Sequence, residues 1–381
     1  MRLAVVGAGA VGRSVVELAG EHGHDVVAVA DSSSAIVADG ADSGGVDAEA
    51  VVTRKAEAGI VGGDDPADAL TADYDVLVEA TPTTLGDAEP GFSHVRTALE
   101  RDRHVVLANK GPVAERYGDL QALVADSAGD LRFEATVGGA IPAVSTVEDI
   151  EPSHVTAVRG VLNGTANFIL TRMAAEGLDY DHVLAEAQDL GVAEADPSFD
   201  VEGTDAALKC VILANVLSFG GADDPADARE FTLADASVEG IRDVPGSALR
   251  LAAEDGRTVR LIGEATGETV RVAPRLVPEN GTLAVSGTQN IVQIETTHAG
   301  RLTSLGAALA VQRRRARSSV TSVASGETAS SGGHAVPDCR RLEVPLEQIL
   351  CVKSCGVLSW TDVMDITGRR RHRLYGVSKP F

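Results

Sequence analysis

The chain has 381 residues, 44% of them hydrophobic and only 3% aromatic, enough to bury a core of ordinary size built mostly from Val, Ala and Leu. Its formal net charge is −23, from 56 acids against 33 bases, a field that repels nucleic acid and anionic membranes. Four cysteines are too few for a disulfide framework, and no run of 18 uninterrupted apolar residues is present, so no membrane span is expected.

The opening "MRLAVVGAGAVG" lacks the basic, apolar and small-residue regions of a secretory signal, and the expected setting is cytoplasmic. Leu3–Val6 reads as a buried strand. Gly7-Ala8-Gly9-Ala10-Val11-Gly12 is a GxGxxG turn, leading into an amphipathic helix from about Arg13 to Glu21. "DVVAVAD" is a second buried strand ending at Asp31, 19 residues past Gly12. A strand, turn, helix and strand with an acid at that distance is the dinucleotide-binding arrangement. The first glycine permits the turn, the second lets pyrophosphate approach and the third packs helix on strand, so phosphate faces the helix N-terminus at Ala10 and Val11. Asp31 can accept both ribose hydroxyls and repels a 2′-phosphate. Ser32, Ser33 and Ser34 bring no arginine to offset that, so NAD is expected over NADP.

Residues 48–58 read as a helix, and 75–83 and 104–114 as buried-strand runs ending in turn residues, with a helix over 91–101 between them. Such strand ends are where open α/β sheets place ligands. "LRFEATVGGAIPAV" (131–144) reads as a further strand running into a glycine pair and Pro142. These elements predict a Rossmann-type, doubly wound nucleotide-binding domain over residues 1–133. Beyond it, a strand and then a helix within 154–173 that enters at Asn163–Asn167, helices near 181–190 and 205–217, and strands at 259–265, 269–274 and 291–296 predict an α+β catalytic and dimerisation domain over 134–300.

Between the helices lies "EADPSFDVEGTDAALK", dense in acid, ending on Lys209 in a chain with five lysines. In a helix starting near Asp205, that residue and Lys209 share a face. A surface ion pair is the plain alternative, and solvation suits Asp196 and Glu202. Lys209, however, is followed by the apolar run Cys210-Val-Ile-Leu-Ala, and a lysine on a mostly buried helix needs a partner or a task. Lys110, behind Asn109 at a strand end, raises the same question.

"ANKGPVA", "FEATVGGAIP", "VLNGTANFILTRM" and "EADPSFDVEGTDAALK" resemble, in order and spacing, the successive motifs of the homoserine dehydrogenase family, over residues 1 to about 300. The resemblance implies reversible NAD(P)-dependent reduction of L-aspartate 4-semialdehyde to L-homoserine by a homodimer or homotetramer. It implies Lys209 as acid–base group and Lys110 as a lysine beside the nicotinamide. Glu194 and Asp205 would hold the substrate ammonium, with Asp200 close behind. Gly191 and Thr81 would lie on the cofactor side. Glu134, with the carbonyls of Val137, Gly139 and Ile141, would hold a monovalent cation, sodium by preference, which suits one carboxylate plus carbonyls. An amino-acid substrate calls for carboxylates around its ammonium and a cationic donor at the transferring oxygen.

The end of the chain departs from the family. After "ETTHAGRL" the family's Gly-Ala-Gly phrase is absent, and "GAALAVQRRRAR" has the arginine excess of a GC-rich gene read out of frame. A frameshift near residue 304 and an aberrant tail over 301–381 are therefore expected, with only its start returning to the nucleotide domain. This tail holds 13 bases and 6 acids, against 20 and 50 in the remainder. Few lysines with abundant acid also suggest a salt-rich cytoplasm, where screening removes self-repulsion. A Cys351-x3-Cys355 spacing has no second ligand pair to make a zinc site. Two other functions compete. A catalytically impaired NAD-binding protein would share every motif. A thioester-forming dehydrogenase needs a strand-end cysteine nucleophile, and Cys210 is inside a helix.

Overall fold

Alternation of buried apolar strands with amphipathic helices organises the first third of the chain; the computed structural model describes residues 1–39, 44–222 and 224–307. The elements are β1 (Arg2–Val6), α1 (Ala10–Ala19), β2 (Asp25–Ala30), β3 (Ala35–Val37), α2 (Ala48–Ala58) and α3 (Pro66–Thr71). β4 (Val76–Glu79), α4 (Gly91–Leu99), β5 (His104–Leu107), α5 (Lys110–Glu115), α6 (Tyr117–Asp126) and β6 (Leu131–Arg132) complete the unit. The sheet order is β3-β2-β1-β4-β5-β6, parallel throughout except β3, which turns back antiparallel on β2. The chain leaves β1 toward β2 on one side and returns to β4 on the other. The crevice at that reversal, outside the strand C-termini, is the ligand position of such sheets. Helix α1 starts at Ala10, one turn earlier than the expected Arg13, because Gly9 already serves as its N-cap.

The strand expected to run from 131 into the glycine pair is a strand only at Leu131–Arg132. Glu134 breaks it. Buried at 3% exposure, its carboxylate accepts the amides of Ala143, Val144 and Ser145 at 2.8, 3.0 and 2.8 Å, and so fixes the start of α7 (Val144–Ile150).

The second unit continues with β7 (Val155–Val161), α8 (Gly164–Glu176), α9 (Tyr180–Asp189), α10 (Ser198–Val201) and α11 (Thr204–Gly221). β8 (Ser237–Val238), α12 (Gly246–Glu254), β9 (Arg257–Ala265), β10 (Val270–Pro278), β11 (Gln289–Thr296) and β12 (Arg301–Ala307) follow. The sheet order is β12-β11-β7-β9-β10-β8, antiparallel but for the β8–β10 pair. Helices α8, α11 and α12 cover one face. Leu283, Ala284 and Val285 fold over the other, onto Val161, Ile262, Val277 and Ile291. Helix α11 is long and apolar enough to cross a bilayer, yet 67% of it is buried among these elements. It also packs on α5 and α7, joining the two units.

Strand β12 pairs with β11 residue by residue, from Arg301 opposite Glu295 to Ala307 opposite Gln289. The second sheet thus runs past the expected boundary at 300, and the expected frame break near 304 falls inside a regular strand. The remaining expectations for the tail, including Arg313 to Arg317 and the Cys351–Cys355 spacing, lie outside the described residues.

Candidate active site

The glycine turn forms for steric reasons visible at each position. Gly7 has φ +105°, and a Cβ there would come 2.3 Å from the Ala80 carbonyl carbon and 2.5 Å from the Thr81 nitrogen. A Cβ on Gly12 would lie 1.9 Å from the Gly7 oxygen. A Cβ on Gly9, in contrast, would meet nothing within 4 Å. Open space therefore sits against the uncapped N-terminus of α1, where the Ala10, Val11 and Gly12 amides have no earlier carbonyl to bond. That is a fit for a pyrophosphate. Thr81, expected to line the cleft, abuts this turn.

Asp31 stands just past the end of β2. Its Oδ1 accepts the amides of Ser33 and Ser34 at 2.7 and 2.8 Å, and its Oδ2 accepts from Lys55 Nζ of α2 at 2.8 Å. Burial would raise the carboxyl, but Lys55 and the serines outweigh it and hold the pKa at about 2. The sequence reading looked for an offsetting cation next to Asp31 and found none; the fold supplies one from 24 residues further on.

Lys110 opens α5, whose N-cap Asn109 accepts the Gly111 amide through Oδ1 and donates through Nδ2 to the Thr81 hydroxyl at 3.0 Å. Thr81 in turn donates through its hydroxyl to Glu79, a carboxylate with no exposure whose Oε1 also lies 3.4 Å from His94 Nδ1. Glu79, Asn109 and His94 were not singled out by sequence. The only sequence signal of Glu79 and Asn109 is polarity at the end of an apolar strand, and His94 lies within α4.

Lys209 lies one helical turn after Asp205 in α11. Its Nζ donates to Asp205 Oδ2 at 2.7 Å and to the Leu162 carbonyl at 2.6 Å. Asp205 Oδ1 stands 3.3 Å from Lys110 Nζ, so one carboxylate serves both lysines. The side chains of Lys209, Asp205 and Lys110 are 13%, 10% and 19% exposed, which leaves the ammonium groups reachable from the cleft. Burial pushes the Asp205 carboxyl up, but Lys209 and Lys110 reverse this and hold it well below the usual carboxylate range. Asp200 goes the other way: burial and the charge of Asp205 raise it, with Asn163 and Thr165 only partly offsetting them.

Glu194 is exposed on the turn after α9, with its carbonyl accepting from Gln188 Nε2 at 3.1 Å. Gly191 is exposed on the same turn and takes φ +71°, the reason for glycine there. Cys210 is fully buried and burial pushes its thiol up to about 12, which disqualifies it as a nucleophile. In the expected cation loop, three amides already occupy three of the four lone-pair positions of Glu134. One lone pair and the carbonyls of Val137, Gly139 and Ile141 are what a cation there would have.

A Rossmann-type crevice whose mouth is closed by two lysines sharing a buried carboxylate defines a nicotinamide-dependent oxidoreductase. Residues 142–322 match the homoserine dehydrogenase family and residues 7–134 match the NAD-binding domain of homoserine dehydrogenase. The chain is 35% identical over 324 residues to the homoserine dehydrogenase of Methanocaldococcus jannaschii, covering 80% of this chain and 93% of that one. It superposes with a TM-score of 0.71 and 38% identity on a crystal structure described as a putative homoserine dehydrogenase from Archaeoglobus fulgidus, over 81% of this chain and 93% of that one. A hyperthermophilic archaeal homoserine dehydrogenase solved in complex with NADPH superposes with a TM-score of 0.65 at 26% identity, over 80% of this chain and 91% of that one. The chain belongs to the homoserine dehydrogenase family. Nothing in these comparisons supports the alternative of an impaired NAD-binding protein.

Proposed function

We propose that the chain interconverts L-aspartate 4-semialdehyde and L-homoserine with Lys209 as the proton carrier. The observation that carries this is the Asp205 carboxylate between Lys209 and Lys110, beside the glycine-turn crevice. A bound nicotinamide supplies or accepts the hydride. In reduction, Lys209 gives a proton to the carbonyl oxygen as negative charge develops there, and Lys110 stabilises that charge. In oxidation Lys209 takes the hydroxyl proton back. Asp205 holds both lysines in place. Its oxygens are taken up by Lys209, Lys110 and Asn163, so the substrate ammonium falls to Asp200 and Glu194.

NAD is the assigned cofactor, with NADP admitted because Lys55 neutralises Asp31 where a 2′-phosphate would lie. A sodium ion at Glu134, Val137, Gly139 and Ile141 would stabilise the loop that leads into α7 rather than enter the reaction. The net charge of −23 suits a salt-rich cytoplasm and a homo-oligomer kept soluble by its acidic surface.

The test is an assay of the purified full chain with L-homoserine and NAD or NADP, following nicotinamide absorbance in low and high salt. Homoserine-dependent turnover is expected with both cofactors. Cofactor binding with no homoserine-dependent turnover would overturn the assignment.

A further inference from the structure

Asn163 follows β7 and opens α8, and its side chain does two things at once. Oδ1 accepts the Ala166 amide at 2.8 Å, which caps α8 and fixes the direction of the amide group. Nδ2 then points inward and donates to Asp200 Oδ1 at 2.6 Å and to Asp205 Oδ2 at 2.9 Å. A side-chain amide nitrogen has two protons and no acceptor capacity, so both are committed to carboxylates from two different helices, α10 and α11. Asn163 is 5% exposed, and water cannot readily replace those donors.

We infer that Asn163 is a positioning residue for the reaction: it locks Asp205 onto the two lysines and holds Asp200 beside it, oriented toward the substrate. A neutral double donor is the group this geometry requires. A carboxylate would add a third negative charge, and an aliphatic residue would leave the buried Asp205 and the half-buried Asp200 carboxylates facing each other. The charged groups around the amide are Asp200, Asp205, Lys209 and Lys110, with the Thr165 hydroxyl also on Asp200. The inference rests on the proposed function only for the role of Asp200; the locking of Asp205 stands on geometry alone.

Two variants separate capping from positioning. Ser and Asp both cap helices about as well as Asn, so α8 should still form in both variants, with Asn163→Ser melting near the parent and Asn163→Asp melting lower at neutral pH because its added charge is repelled by Asp200 and Asp205. In Asn163→Ser, kcat for homoserine oxidation should fall roughly 10- to 100-fold, the usual result of misplacing a reacting group, and KM for homoserine should rise while NADH binding holds. In Asn163→Asp, the ratio of its kcat to that of the parent should rise as pH is lowered, because the added carboxyl regains a proton to donate. A structural role would leave that ratio flat. Reductive methylation of Lys209, read by mass spectrometry, needs no activity and should run several-fold faster in Asn163→Ser once Asp205 is released. Unchanged kcat, or unchanged Lys209 labelling, in a folded Asn163→Ser overturns the inference. A parent without homoserine turnover would sink the function proposed above, and the labelling result would then decide this inference by itself.

Discussion

Lys110 and Asp205 meet across the cleft, with Lys110 Nζ 3.3 Å from Asp205 Oδ1. One residue starts a helix of the nucleotide-binding unit and the other lies in the first turn of α11, so their contact exists only when the two units are docked. Lys209, the proposed acid–base group, is bound to the same carboxylate at 2.7 Å. The electrostatics of the cleft and the proposed proton transfer therefore meet at a single side chain.

Asp205→Asn should be costly in a pH-dependent way. The folded pKa of Asp205 is depressed, so its contribution to stability is present above the unfolded aspartate value of about 3.9 and is lost as pH falls through the folded value. Removing one partner of a buried pair costs about 3–5 kcal/mol. Calorimetry at a series of pH values should find the variant melting well below the parent at pH 7, with the gap closing in acid. A gap that does not change with pH would mean the carboxylate is not held ionised by the lysines.

Lys209→Ala should lower turnover by roughly 10²–10⁴-fold, the usual worth of a general acid or base. NADH binding, followed by nicotinamide fluorescence, should stay intact, because the cofactor turn is built by Gly7, Gly9 and Gly12. Near-normal turnover would remove Lys209 from the mechanism.

Two glycine variants should fail in different ways. At Gly9 a methyl group projects into open space with an ordinary φ of −76°. Gly9→Ala should therefore melt like the parent while binding NAD about tenfold or more weakly, a loss of roughly 1.4 kcal/mol. At Gly12 the same methyl group would sit 1.9 Å from the Gly7 oxygen, so Gly12→Ala should lose both stability and binding. Equal NAD affinity in Gly9→Ala and the parent would show that the pyrophosphate does not pass there.

Cofactor choice should turn on Lys55. With the Lys55–Asp31 pair intact, NAD and NADP should differ by less than about tenfold in affinity, narrower than Asp31 alone would impose. Lys55→Ala should unmask the carboxylate and widen the preference for NAD beyond that. Isothermal titration of both cofactors checks it, and NADP affinity unaffected by Lys55→Ala would place the 2′-phosphate elsewhere.

What was legible in the sequence was what depends on near neighbours. The GxGxxG turn, the strand ending at Asp31 and the Asp205–Lys209 pair are set by spacings of a few residues, since glycine sterics and the 100° helical step act locally. The extent of β12 was obscured because an edge strand is held by backbone pairing with β11, which the odd composition after it does not reveal. The strand at 131 ends before the glycine pair it was expected to reach, because its break depends on where the Glu134 carboxylate reaches, nine to eleven residues ahead.

By itself the sequence determined the two kinds of domain, the cofactor turn and which lysines and carboxylates were available. Only the tertiary structure decided how those charges pair: Lys55 with Asp31, Lys110 with Asp205, and Asn163 between Asp200 and Asp205. The reason is physical. Periodicity constrains which face of an element a side chain occupies, but the energy of a buried charge depends on the donors within about 3 Å of it, and those arrive from elements dozens of residues away only once α5, α8, α10 and α11 have packed together.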